Sequence, residues 1–351
     1  MRIIKLLYIL ILLLLTSVNN YFIEFIILLG VSLPILLFLK ERQVLLIFFN
    51  CFLSWVGTTK GLEGDYLFYS IEYTEANISS FSEYISEHIK SPFFYFLFYL
   101  NSFIGLSFRQ ATGLIIFIFN LLFFDASKNI FSTKKDQFYC SLLFLIYFPI
   151  FDSSTHLFRQ HVASIVMIWS ISKVNIQSAI TALFTHLTSI VFIPQYLLLL
   201  DFQRVKKLMI IFGICLLLFS SSIIEFVTSF IIDRFVNITD LEELNFLIYL
   251  IISICILALF NKNYRKLLLL PTITILLTMY ALKENSEIVF RISKYFNYLI
   301  PIALIYLSKS LSSIFLQRQI LYKALQLNTI LVLSSYFIYK VFLFPNWTYF
   351  Y

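Results

Sequence analysis

The chain is poor in charge. Of its 351 residues, 13% are Asp, Glu, Lys or Arg, against roughly 25% in an ordinary soluble domain. That shortage excludes a water-soluble globule. Glycine and proline are scarce as well, seven of each, which excludes a collagenous, low-complexity or linker-rich chain. The few cysteines, Cys51, Cys140, Cys215 and Cys255, stand singly in apolar blocks, with no CxxC and no histidine at ligand spacing. They read as small buried hydrophobes, without a disulfide framework or a zinc site. GxGxxG, Walker, HExxH and GxSxG motifs are all missing, so nothing supports nucleotide-driven chemistry.

What is present is apolar: 60% of the residues are hydrophobic and 19% aromatic, in long blocks between short polar breaks. Roughly 20 apolar residues cross the hydrocarbon of a bilayer. The expected fold is therefore an all-α polytopic integral membrane protein, a single transmembrane domain over 1–351 with about 11–13 helices and re-entrant segments. The net charge of +7 is read as loop charge that orients the chain, with no nucleic-acid partner. Arg2 and Lys5 before the run Leu6–Leu15 resemble a signal peptide. Thr16 to Asn20 make a poor cleavage site, so an uncleaved first helix is expected.

Continuous spans are expected at about 3–18, 22–39, 44–57, 110–124, 138–151, 157–172, 208–224, 245–260, 267–282, 288–307 and 324–342. The stretches 92–108 and 176–200 are ambiguous, because polar residues or proline interrupt them. Basic clusters at Arg2/Lys5, Lys40/Arg42, Lys128/Lys134/Lys135, Lys173, Arg204/Lys206/Lys207, Lys262/Arg265/Lys266 and Lys309/Arg318/Lys323 should lie in the cytoplasm. They do so together only if both ambiguous stretches enter and leave on one side or lie in the interface. Such a dip is tolerated where protein or a water-filled cavity satisfies its backbone. The plain alternative is two short helices and a local breach of the charge rule. The long outer loops are then 58–91 and 225–244.

Few polar residues interrupt the apolar blocks, and each needs a reason. Arg159 stands in Asp152-Ser153-Ser154-Thr155-His156-Leu157-Phe158-Arg159-Gln160-His161, where one helix would put His156, Arg159 and Ala163 on a face. It is either an interfacial arginine snorkelling to headgroups or an anion clamp. His186, in Ala182-Leu183-Phe184-Thr185-His186-Leu187-Thr188-Ser189, is either interhelical glue or a proton acceptor near neutral pH. Arg291, Lys294, Tyr295 and Tyr298 recur at helical spacing, so one face holds two cations and two phenols. That face suits a pyrophosphate, or else an aromatic and basic belt at the membrane boundary. In 58–91, Asp65 and Tyr66 follow glycines and precede Tyr69; Asp65 is a base or sugar-hydroxyl ligand, with Glu63, Glu72 and Glu75 as rivals, or part of a solvated acidic loop. His156 and His161 lack same-face metal spacing, and no paired glycosidase carboxylates are assignable, so neither metal nor cofactor is expected.

Three of these stretches carry a family likeness: Gly64-Asp65-Tyr66 with Tyr69, Phe158-Arg159-Gln160-His161-Val162-Ala163, and Ala182-Leu183-Phe184-Thr185-His186. Through them the sequence, over about residues 20–310, resembles the EpsG-like branch of Wzy-type bacterial O-antigen and capsular polysaccharide polymerases. His161 departs from the small or aliphatic residue usual in that family. The resemblance implies a GT-C-like, metal-independent glycosyltransferase of the bacterial inner membrane with its active site facing the periplasm. Such an enzyme transfers a glycan from undecaprenyl pyrophosphate to the non-reducing-end hydroxyl of a lipid-linked acceptor repeat unit. It works among membrane lipids, in some systems with a chain-length regulator. In this chain it implies Arg159, His186 and Asp65 as catalytic residues, with Arg159, Arg291, Lys294, Tyr66, Tyr295, Tyr298 and His156 holding substrate. The main rival is a flippase for the same lipid-linked oligosaccharide, which should show pseudo-symmetric halves; an O-acyltransferase or O-antigen ligase is a second.

Overall fold

The computed structural model describes residues 42–58, 64–173, 175–186, 189, 286–314 and 318–339. The expected spans 3–18, 22–39, 208–224, 245–260 and 267–282, the loop 225–244, and Cys215 and Cys255 lie outside the described residues. Among the described residues the structure is all helical, with no strand. The helices are α1 (Arg42–Thr58), α2 (Gly64–Ile78), α3 (Phe81–Glu87), α4 (Pro92–Phe103), α5 (Phe108–Ile130), α6 (Lys134–Ile146), α7 (Phe148–His156), α8 (Phe158–Lys173), α9 (Ile176–Thr185), α10 (Ser286–Ile314) and α11 (Arg318–Ile338). The chain divides into two compact units. The first comprises Met1–His88, Tyr95–Phe158 and Gln326–Tyr351, and the second Ile89–Phe94 and Arg159–Leu325.

In the first unit α1 packs on α5, α6 and α7, and α2 on α3, α5 and α7. Leu45, Phe49, Phe52, Leu53 and Val56 form the buried stripe of α1, recurring at the helical period. The opposite face, Ile47 and Trp55, is apolar too, as are Leu114 and Ile118 on the outside of α5. A helix apolar all round has no polar side to give to water. Between α1 and α5 sits a polar clasp: Asn120 Nδ2 donates to Asn50 Oδ1 at 2.8 Å, and Asn50 Nδ2 donates to the Phe117 carbonyl at 2.9 Å. Gly113 permits this approach, since a Cβ there would meet Thr58 Cγ2 at 3.0 Å.

One described helix, α5 with 23 residues, is long and apolar enough to cross a membrane, and Gln43–Thr58 is a shorter apolar helix. The ambiguous stretch 92–108 resolves into the twelve residues of α4 and a turn. At 1.5 Å per residue α4 is roughly 18 Å long, short of a hydrocarbon core of about 30 Å. Gly105, at φ +79°, takes the left-handed conformation that reverses the chain. Ser107 and Gln110 then close a capping box that starts α5.

One expectation is corrected here. The span expected at 138–151 is broken: α6 ends at Ile146, Tyr147 is extended, and α7 begins at Phe148. Pro149 explains the break, because its ring would clash with the carbonyl four residues back in a continuous helix, yet fits the first turn of a new one. The segment 58–91, expected as an outer loop between spans, carries the helices α2 and α3.

In the second unit α8 is a core helix. From Phe158 to Ile168 every residue is buried except Arg159, which is half-buried. Asn175 caps α9 by accepting from the Gln177 and Ser178 amides. Its own amide bonds the Ser170 carbonyl at 3.0 Å, and Ser170 Oγ donates to the Asn175 carbonyl at 2.8 Å. This ties the end of α8 to the start of α9 and turns the chain back toward His186.

Candidate active site

Two helices of the second unit carry arginines whose charges act on an imidazole at the end of a third. Arg159 lies in the first turn of α8, Arg291 on α10, and His186 at the C-terminal cap of α9. At His186 the backbone leaves the helix for an extended conformation, φ −155° and ψ 122°. The Ser189 amide and Oγ both donate to the His186 carbonyl, at 3.0 and 2.8 Å. The guanidinium groups of Arg159 and Arg291 both act electrostatically on the His186 ring, Arg159 the more strongly. All three side chains are half-buried. Guanidinium groups are planar five-donor forks with permanent charge, so a pair of them suits a phosphate or pyrophosphate. The imidazole adds ring nitrogens that can donate or accept a hydrogen bond beside these cations.

α10 runs unbroken through 291–298, so Arg291, Lys294, Tyr295 and Tyr298 do share a face. Its two ends differ. Arg291 and Lys294 are half-buried, whereas Tyr295 and Tyr298 are 1% and 0% exposed. The Tyr298 hydroxyl is engaged within the protein, 2.9 Å from His161 Nδ1. One residue earlier, Gln160 Nε2 donates to the backbone carbonyl of Arg291. Neither bond was foreseen from the sequence.

Asp65 and Tyr66 belong to the first unit. Asp65 is exposed in the first turn of α2, where a carboxylate also favours the helix N-terminus. Tyr66 points into the core, 2% exposed, with its hydroxyl 3.3 Å from Thr112 Oγ1 and its ring 4.9 Å from that of Phe108. Burial pushes this phenol up from the ordinary tyrosine range, and the Thr112 bond and Arg109 charge pull it partly back. His156 is also placed differently from expectation. Leu157 leaves the helical conformation (φ −114°, ψ 50°) and ends α7, so His156 and Arg159 are on separate helices and share no face. His156 Nε2 instead lies 3.2 Å from Asp152 Oδ1, one turn back.

The sequence reading undervalued Glu72. It is 6% exposed, and three aromatic residues of the first unit surround it. Tyr95 Oη donates to its Oε2 at 2.6 Å, His88 Nε2 lies 3.5 Å from its Oε1, and Tyr84 Oη donates to its backbone carbonyl at 3.0 Å. His88 Nδ1 is 2.8 Å from the Tyr84 carbonyl, and the His88 ring lies 3.9 Å from that of Tyr95. Burial, reinforced by the charges of Glu72 and Glu75, pushes the Tyr84 phenol up, so it stays a donor. The signal was available: Tyr66, Tyr69, Tyr73 and Ala76 mark the buried stripe of α2, and Glu72 stands on it.

Among the described residues no three His, Cys, Asp or Glu gather as metal ligands. No family model, curated protein or solved structure matches the chain.

Proposed function

We propose that this protein is a polytopic membrane glycosyltransferase that polymerises lipid-linked oligosaccharide repeat units, using a diphosphate clamp built from Arg159 and Arg291. One observation carries the reading: Gln160, the residue next to Arg159 on α8, donates to the backbone carbonyl of Arg291 on α10, which brings two arginines far apart in sequence to one helix junction. Arginines within membrane segments face a protein interior or a water-filled cavity and mark substrate pathways, and planar guanidinium forks match the oxygens of a dianionic or trianionic diphosphate. The apolar outer faces of α1 and α5 support lipid as the surrounding solvent.

The donor in this reading is a glycan on undecaprenyl pyrophosphate. As the sugar C1–O bond breaks, negative charge grows on the leaving pyrophosphate oxygen, and Arg159, Arg291 and Lys294 neutralise it. The acceptor hydroxyl attacks C1 and loses its proton to a base. His186, which shares the second unit with both arginines, is the side chain assigned to accept it. No nucleotide or metal is needed, because pyrophosphate is already a good leaving group. The reaction belongs to the periplasmic side of a bacterial inner membrane.

Purified protein in lipid nanodiscs, given a defined undecaprenyl-pyrophosphate-linked repeat unit, should yield a ladder of chain lengths. Release of free undecaprenyl pyrophosphate without ladders would indicate hydrolysis. Transfer of intact donor across vesicle membranes with no elongation would identify a flippase and overturn the reading.

A further inference from the structure

We propose that Gln160, His161 and Tyr298 are positioning residues that set the separation and orientation of the two clamp arginines. The inference rests on the clamp reading above. Gln160 and His161 directly follow Arg159, and both reach α10 within the second unit. Gln160 holds the backbone carbonyl of Arg291 itself, and His161 holds the Tyr298 hydroxyl at 2.9 Å. Tyr298 is two helical turns beyond Arg291 on the same face. Two rungs about 10 Å apart along α10 prevent it from sliding along α8 or rotating against it. A single rung would leave rotation free.

The energetics point the same way. His161 is fully buried, yet among the described residues its Nε2 has no hydrogen-bond partner, and neither does the buried Oε1 of Gln160. An unsatisfied buried polar group is destabilising. Apolar residues at 160 and 161, with phenylalanine at 298, would pack α8 against α10 without that cost. A pair of polar side chains that cost stability while fixing a register fits positioning better than packing. Tyr298 thereby acts through Arg291 rather than by touching sugar or phosphate.

The test is inorganic pyrophosphate titrated into full-length protein in nanodiscs by calorimetry, with thermal unfolding measured in parallel. Tyr298→Phe keeps the ring and loses the rung, His161→Leu loses it from the other side, and His161→Asn restores a polar atom near the place of Nδ1. Tyr298→Phe and His161→Leu should each weaken pyrophosphate binding about tenfold, as loss of outer-shell partners does elsewhere. The double variant should be no worse than either alone, and His161→Asn should recover most of the affinity. The double variant, which orphans neither partner of the bond, should melt no lower than the parent protein. Wild-type affinity in Tyr298→Phe and His161→Leu, with binding lost in Arg159→Ala, would overturn the positioning role and leave the clamp intact. Binding unaffected by Arg159→Ala and Arg291→Ala, or none in the parent protein, would overturn both. A lowered melting point with unchanged affinity assigns the bond to packing and also overturns the proposal.

Discussion

The phenol of Tyr95 donates to the Glu72 carboxylate at 2.6 Å, and through that bond α4 is fastened to α2. His88, at the end of α3, joins from the other carboxylate oxygen. Three short helices, none long enough to be stable alone, thus share one buried acid. Tyr95→Phe should destabilise the protein by about 1–3 kcal/mol, because it leaves a buried carboxylate oxygen short of a donor. Glu72→Gln should cost less than Glu72→Ala, since the amide oxygen still accepts from Tyr95. Thermal unfolding in nanodiscs checks the order; equal melting points for all three variants and the parent would reduce the knot to a surface contact.

The clamp makes a sharper demand. Arg159→Ala or Arg291→Ala should abolish long chains while the protein still inserts, and Arg159→Lys should recover only part of the activity. Lysine restores the charge but not the two-pronged donor geometry. Surface polysaccharide resolved on a gel gives the readout. Single-repeat caps without ladders are expected, whereas normal ladders in both alanine variants would exclude these residues from the reaction.

What could be read from the sequence was what periodicity and cost can show. The face of Arg291, Lys294, Tyr295 and Tyr298 was visible because α10 is uninterrupted, so i, i+3, i+4 and i+7 translate directly into space. The weakness of 92–108 as a simple crossing was visible in its polar interruptions, and the helix there has only 12 residues. The break at Tyr147 was missed because the hydrophobic run continues across it; only Pro149 marks it, and proline is equally at home in a kinked or a starting helix. His156 was misplaced for a related reason. A hydrophobic pattern does not reveal that Leu157 leaves the helix. The rungs from Gln160 and His161 to α10 were out of reach, since they join residues more than a hundred positions apart.

His186 is the side chain whose role a single substitution separates most cleanly. As general base, His186→Ala should slow polymerisation by about 10²- to 10⁴-fold while leaving pyrophosphate affinity close to that of the parent. As an added clamp donor, the same change should weaken pyrophosphate binding together with the rate. Steady-state rates beside pyrophosphate titration distinguish these outcomes. Undiminished rate and affinity would reduce His186 to its backbone contact with Ser189.

Orientation follows from α5, whose 23 residues rise roughly 34 Å, enough to cross the hydrocarbon once. Lys128 in its last turn, with Lys134 and Lys135 just beyond, should hold that end in the cytoplasm. Asp65, exposed on α2, should then face the periplasm, provided that α4 does not cross. Single-cysteine variants test this in a background with Cys51, Cys140, Cys215 and Cys255 changed to alanine. Asp65→Cys should react with an impermeant maleimide added to intact spheroplasts, and Lys134→Cys only after the membrane is opened. Both cysteines labelling from outside would mean that the short, proline-started α4 does cross the bilayer. The clamp would then have to be tested for opening toward the cytosol, where lipid-linked repeat units are assembled but not polymerised in the proposed reaction.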